Sequence, residues 1–504
     1  MTLLSRQSFE KNKFSGYFYN RITYAGVILA LIFFVIECVL FGIDFFTDGK
    51  NVYLGILTYV ILPPFIILGL IFIPVGAFWK RRRVLKGIAE IAPRKIFIDL
   101  TLPTHRNAVI VFIIGTAVLV VMTAVGSYKA YNYTESVHFC GITCHDLMKP
   151  EYTAYINSSH ARVKCVDCHI GEGAGWYVRS KLSGVGQVYH TLKKDYPRPI
   201  PTPVRNLRPA KETCEQCHWP GKFYSSVEMR RTYYSSGQDG SRPWFLRVLL
   251  HAGGNDAARE GIHAHMYIDN EIYYAAEDEQ RQKITWIKSV GGDGKPVVYT
   301  SPDSKFKDMD PPADQIRKMD CVDCHNRPTH NFKAPYELVN GAFLEGTISA
   351  DVPDAKTKVM EALSGDYSST EEAVEKIGQD LRRYYKEKYP DFDRDHKDKI
   401  DRMIDAAVAM YKNYFFPEMK TRWDVRPDNI GHLWSPGCFR CHDGEHASSD
   451  GKTITKDCSV CHTIIEQGPP DAMESNTQGV AFKHPFEDDG LWREMNCYDC
   501  HTGN

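Results

Sequence analysis

Fourteen of the fifteen cysteines in this 504-residue chain stand in pairs, and each pair ends in a histidine. They are Cys140/Cys144/His145, Cys165/Cys168/His169, Cys214/Cys217/His218, Cys321/Cys324/His325, Cys438/Cys441/His442, Cys458/Cys461/His462 and Cys497/Cys500/His501. C-x-x-C-H is the attachment pattern of c-type haem. Two thiols about one helical turn apart each form a thioether with one porphyrin, and the adjacent His lies under the iron. A lone match could be half a zinc site or a redox pair, and a disulfide framework has no use for the His. Seven matches that consume all but Cys38 point to seven covalently attached haem c groups. The expected fold class is a multihaem cytochrome c, mainly α with many loops, a small β insert and three N-terminal transmembrane helices.

Haem is attached outside the cytoplasm, so the chain needs a route across a membrane. Ile22 to Ile43 is a continuous apolar run longer than the roughly 20 residues that span hydrocarbon. A second run covers about Val52 to Trp79, with Pro63, Pro64 and Pro74 expected to bend it, and a third covers about Ala108 to Gly126. No small-residue cleavage site follows the first, so these read as permanent helices. Lys80, Arg81, Arg82, Arg83, Lys86, Arg94, Lys95 and Arg106 crowd the second loop, which the positive-inside rule places in the cytoplasm with the N-terminus. Three spans then leave the C-terminal part in the periplasm of a bacterial inner membrane. The chain divides into a cytoplasmic N-terminus (1–21), three transmembrane helices with a basic loop at 80–107 (22–127), a domain with haems one to three (128–220), an insert of β-hairpin character (221–320), haem four with a helical segment (321–430), and a C-terminal three-haem domain (431–504).

Glu37 in the first span carries a cost of about 2.5 to 3.5 kcal/mol at the bilayer centre, less toward the interface. It serves as a proton acceptor from a quinol, or simply snorkels or pairs with a neighbouring helix. A net charge of -1 gives no reason to expect nucleic acid.

With so few residues per haem, the porphyrins should supply much of the apolar interior, leaving little sheet and no ordinary core. MYIDNEIYYAA, KITWIKSV and KPVVYTS alternate like strands. From 355 to 420 the pattern is helical, starting near Thr370 with Glu371 and Glu372 and continuing through Ile377, Leu381, Ile400, Ile404 and Val408.

Low-spin haem takes a second strong ligand, His or Met. Of 19 His, twelve lie outside the motifs. His105 falls in the cytoplasmic loop, His396 in a charged run, and His138 too close to its own motif. The distal candidates are His160, His330, His446, His432, His484, one of His263 and His265, and then His251 and His190. The first motif has three residues between its cysteines, so its loop must bulge, and Met148 is its candidate thioether ligand.

FCGITCHDLM after a membrane helix, then SSHARVKCVDCH, YVRSKLSGVGQVYH, YPRPIPTPV and LRPAKETCEQCHWP, resembles the NapC/NirT (NrfH-like) family of membrane-anchored quinol dehydrogenases over about residues 108–218. CVDCHNRPTH and PGCFRCHDGEH fit seven-haem relatives similar to inner-membrane cytochromes of metal-reducing bacteria. The resemblance implies oxidation of menaquinol or ubiquinol at the periplasmic face and delivery of electrons to periplasmic cytochromes or a reductase, in a homo- or hetero-oligomer. It maps the distal His before the second motif onto His160 and a quinol-site Lys onto Lys181. The family's C-x-x-C-H-x-M pattern is displaced here, Met148 standing one residue further on. Two other functions fit a chain of this kind: a terminal reductase of nitrogen or sulfur oxyanions, and a non-catalytic anchor in a larger respiratory complex.

Overall fold

The computed structural model describes residues 15–46, 57–88, 99–143, 145–171, 173–204, 209–219, 225–253, 261–266, 270–485 and 490–501. The chain forms two compact units, Met1–Thr143 and Cys144–Asn504.

In the first unit, α1 (Arg21–Phe46), α2 (Pro63–Leu85) and α3 (Pro103–Thr134) are each long and apolar enough to cross a membrane. Their mean hydropathies are 2.8, 1.6 and 2.8. α1 and α2 pack closely because glycines line the seam. A Cβ on Gly26 would meet the Gly69 carbonyl oxygen at 2.6 Å, and one on Gly76 would meet Thr23 Oγ1 at 2.6 Å. Phe33 stacks on Phe65 at 4.6 Å, and Cys38 Sγ donates to Met122 Sδ of α3 at 3.4 Å. The second span differs from expectation. Pro63 and Pro64 do not bend a helix; they begin one, in the first turn where a missing N–H costs nothing. Only Pro74 lies in the interior. Val52 and the basic stretch 89–98 lie outside the described residues.

The second unit opens with α4 (His145–Ile156), α5 (Cys165–His169), α6 (Ala174–Lys193) and α7 (Ala210–Cys214). Two antiparallel sheets follow. One runs β1 (Val227–Tyr234), β2 (Pro243–Leu250), β8 (His462–Gly468), β9 (Glu474–Ser475). The other has the order β6 (Arg317–Lys318), β3 (Glu271–Ala276), β4 (Ile284–Val290), β5 (Pro296–Thr300), β7 (Ala447–Ser448). Each sheet therefore recruits strands from the last haem segment, and more sheet forms than the local alternation foretold.

The helical body also departs from expectation, because it has an ordinary core that needs no porphyrin. After α8 (Cys321–Cys324) come α9 (Pro335–Leu344), α10 (Ala355–Ser364), α11 (Thr370–Lys388), α12 (Pro390–Asp395) and α13 (Lys397–Tyr414), with α14 (Cys497–Cys500) near the end of the chain. Ser369 caps α11 by accepting from the Glu372 amide at 3.1 Å. Ala373, Ile377, Leu381 and Tyr385 recur every fourth residue, and all are buried against Ile400, Met403 and Ala407 of α13 and Val359 and Leu363 of α10. Burying each large apolar side chain contributes about 1.5 to 3 kcal/mol, so this body stands on its own packing. Ile404 and Val408 lie at its edge, half-buried.

Candidate haem sites

The motifs sit on single turns whose ends are tied down locally. In CVDC, CVDC and CYDC an Asp stands just before the second Cys. It reaches back to the amide before the first Cys: Asp167 to Lys164 at 3.1 Å, Asp323 to Asp320 at 2.7 Å and Asp499 to Asn496 at 3.0 Å. This half of a capping box holds both thiols on one short helix. The fifth and sixth motifs use 3-10 turns, Gly437–Arg440 and Cys458–Val460. The irregular first motif lies on a π-helical turn, Phe139–Thr143, a geometry that absorbs one extra residue. Cys144 and the side chain of His145 lie outside the described residues.

Each of the other six motif histidines faces a second His ring. The centroid separations are 6.2 Å for His169 and His330, 5.9 Å for His218 and His160, 6.3 Å for His325 and His263, 5.9 Å for His442 and His265, 6.3 Å for His462 and His432, and 6.2 Å for His501 and His484. Two metal–nitrogen bonds of about 2 Å each, plus the ring half-widths, put such centroids about 6 Å apart, so an iron fits between every pair. The tautomers fit as well. Nδ1 is directed at a main-chain oxygen in His160 (Pro328, 3.1 Å), His330 (Glu151, 3.0 Å), His263 (Ala252, 2.8 Å), His265 (Ile262, 2.6 Å) and His442 (Thr455, 3.1 Å). A proton held on Nδ1 leaves the Nε2 lone pair for a metal. Burial keeps His169, His325, His432, His442, His462 and His501 below the ordinary imidazole pKa. Burial, followed by the neighbouring His169, lowers His330 to about 4. These imidazoles are neutral at pH 7, the form that binds metal.

Three histidines expected as ligands are not among these six pairs. His446 is 1% exposed; its Nδ1 meets Asp443 Oδ2 at 2.8 Å and its Nε2 meets the Ile284 carbonyl at 3.1 Å. Both nitrogens are taken up by protein partners, and among the described residues no motif histidine ring faces it, so His446 reads as a buried structural residue. His190 is exposed on α6, with Nδ1 on Asp195 at 2.8 Å and the Tyr189 ring at 5.6 Å. His251 has its Nε2 on the Thr463 hydroxyl at 3.1 Å. Conversely the turn Ile262–Met266 presents both His263 and His265 to motif histidines, where one alone was expected. Met148 is half-buried on α4, and Lys181 on α6 is half-buried with Nζ 4.9 Å from the Tyr177 ring centre.

Sequence reasoning missed the frame of the fourth motif. Asp323, 3% exposed, accepts from Arg317 Nε (2.8 Å), Arg281 Nη1 (3.1 Å) and the Tyr274 hydroxyl (2.8 Å). Its carbonyl accepts from Arg440 Nη2 at 2.7 Å and Asn429 Nδ2 at 3.0 Å. A charged residue inside a CFRC motif, here the buried Arg440, was the available signal.

Cytochrome c-type protein ImcH of Geobacter sulfurreducens is 37% identical over 489 residues, covering 97% of this chain and 96% of that protein. The chain belongs to the NapC/NirT cytochrome c family. The profile of that family's N-terminal region matches residues 102–199. Cytochrome c-type protein NrfH of Wolinella succinogenes is 29% identical over 115 residues, 22% of this chain and 63% of that protein. No solved structure matches. As a NapC/NirT-type cytochrome the chain is a membrane-anchored electron-transfer protein carrying covalently bound haem c, on the anchor that α1 to α3 supply.

Proposed function

We propose that this protein is a seven-haem quinol dehydrogenase of the bacterial inner membrane, oxidising menaquinol or ubiquinol at the periplasmic face and passing electrons to periplasmic cytochromes or a reductase. Haem c, when bound, supplies one-electron exchange at iron. The observation that carries the reading is the set of six facing histidine pairs. A haem with two imidazole ligands has no open position for an oxyanion, so the arrangement supports relay over terminal reduction.

The residue roles follow. Cys140, Cys165, Cys168, Cys214, Cys217, Cys321, Cys324, Cys438, Cys441, Cys458, Cys461, Cys497 and Cys500 hold the porphyrins, with Cys144 completing the first pair. His145 and Met148 serve the first. His160, His263, His265, His330, His432 and His484 are the distal ligands. Lys181 donates a hydrogen bond to a quinol oxygen, favouring its deprotonation. The basic loop places the N-terminus inside and the haem unit outside, so both quinol protons are released to the periplasm.

The test is anaerobic reduction of detergent-solubilised protein by a menaquinol analogue, followed in the ferrous haem bands. Lys181→Ala should slow it about tenfold, the loss of one hydrogen bond to a charged donor, while dithionite still reduces every haem. Absence of any reduction by the analogue in the wild type would sink the reading.

A further inference from the structure

The six described attachment sites are joined to one another by specific contacts, and these follow the order of the chain. The second and third meet where α5 packs on α7, and His160, five residues before Cys165, faces His218. The third and fourth meet where α7 packs on α8; the Ala210 amide donates to Asp320 at 2.8 Å, and the Cys214 and Cys321 side chains are within hydrogen-bonding reach. The fourth and fifth are bolted by Arg440, which lies between Cys438 and Cys441 and donates to the Asp323 carbonyl between Cys321 and Cys324. The same two sites share the turn Ile262–Met266, where His263 faces His325 and His265 faces His442. The fifth and sixth are joined through His432, which stacks on Phe439 at 4.4 Å while facing His462. His442 Nδ1 also reaches Thr455, three residues before Cys458. The sixth and seventh are joined by Lys456, two residues before Cys458, which donates to Asn496 beside Cys497 at 2.6 Å. Beyond that, the rings against His501 are His484, Tyr336 and Trp434.

A second link crosses the start of the file: His330, five residues after His325, faces His169. The second, third and fourth sites are therefore mutually adjacent, and the Ile262–Met266 turn and Arg440 tie the fourth directly to the fifth.

We propose that the attachment sites from Cys165 to His501 are strung in the order of their motifs, that the Ile262–Met266 turn is the joint between an inner and an outer group of three, and that the Cys497/Cys500/His501 site is where electrons leave for a soluble protein acceptor. Each transfer oxidises one ferrous iron and reduces the next ferric one, with no proton, and the last reduces the ferric iron of the acceptor. The proposal rests on the ligand pairs above and not on quinol oxidation.

Full-length protein in detergent, reduced by dithionite and freed of excess, is mixed in a stopped-flow instrument with a ferric soluble monohaem cytochrome c. His265→Met exchanges imidazole for thioether and raises the potential of the fifth haem, making it a trap at the joint. The wild type should empty in one phase. In the variant the two haems beyond the trap should empty at the wild-type rate and the remainder about tenfold or more slowly, while EPR shows one bis-imidazole signal replaced. A single unslowed phase in a variant with that EPR change overturns the route. An unchanged EPR spectrum overturns the ligand pair beneath it. His484→Met, at the far end, should slow emptying of all haems; an unchanged rate would place the exit elsewhere. Because dithionite supplies the electrons, a failure of quinol oxidation leaves both outcomes readable.

Discussion

His446→Ala separates a structural histidine from a ligand. The side chain is buried, and its loss removes one hydrogen bond to a carboxylate, worth about 1.5 to 3 kcal/mol, and one to a carbonyl, worth about 0.5 to 1.5 kcal/mol. The Ile284 oxygen loses its side-chain partner, and the vacated ring volume adds a cavity term. The expected destabilisation is about 3 kcal/mol, measured by urea unfolding followed by far-UV circular dichroism at pH 7. The haem complement should not change: the same low-spin EPR signals and the same haem content. The penalty should also shrink in acid. Burial raises the Asp443 pKa, but hydrogen bonds from His446 and from the Glu445 and His446 amides outweigh it and hold the carboxyl below its ordinary value. A carboxyl with a depressed folded pKa stabilises above its unfolded pKa, near about 4, and that stability is lost as pH falls through the folded value. Appearance of a high-spin haem in His446→Ala, with stability intact, would refute this account and restore His446 as an iron ligand.

Asp323→Asn keeps the shape but removes the charge that Arg317 and Arg281 share, and one of its two carboxylate oxygens no longer accepts. Because both arginines are about a third exposed, the cost is expected near the lower end for a broken buried pair, about 2 to 3 kcal/mol, seen as a lowered urea midpoint; an unchanged midpoint would remove Asp323 from the frame. Ile377→Ala, at a position with no exposure, should cost about 3 to 4 kcal/mol in the same assay while leaving the haem spectra unaltered, since no motif residue belongs to that core. A spectral change would show that the helical body and the haem sites are not separable.

What could be read in the sequence was what local chemistry writes into adjacent residues. Cys and His at fixed spacing are local, and so is the fourfold recurrence from Ala373 to Tyr385 that built α11. The assignment of distal histidines is not local. CHNRPTH and CHDGEH look alike, each with a His four or five residues past its motif, yet His330 turns to His169 across the fold and His446 is captured by Asp443 and β4. Nothing before β4 is placed could show that the Ile284 carbonyl occupies Nε2. The sheets were underestimated for the same reason: β6, β7 and β9 are two residues long and carry no period of their own, and the partners of β6 and β7 lie far along the chain.

The ordinary core bears on how a chain this rich in haem fixes its geometry. If porphyrins alone filled the interior, the position of each iron would depend on its neighbours being loaded first. Here five of the imidazoles direct Nδ1 at main-chain oxygens, which hold the ring planes through the backbone as well as through the porphyrin. His265 is the sharpest case: its Nδ1 is bonded within its own turn, to Ile262, and the amide of Ile262 donates to the carbonyl of His251, at the end of β2. Ring orientation at the joint between the fourth and fifth sites is thus tied through the backbone to the end of β2. That arrangement suits electron transfer, where the rate depends on distances held constant through every oxidation cycle.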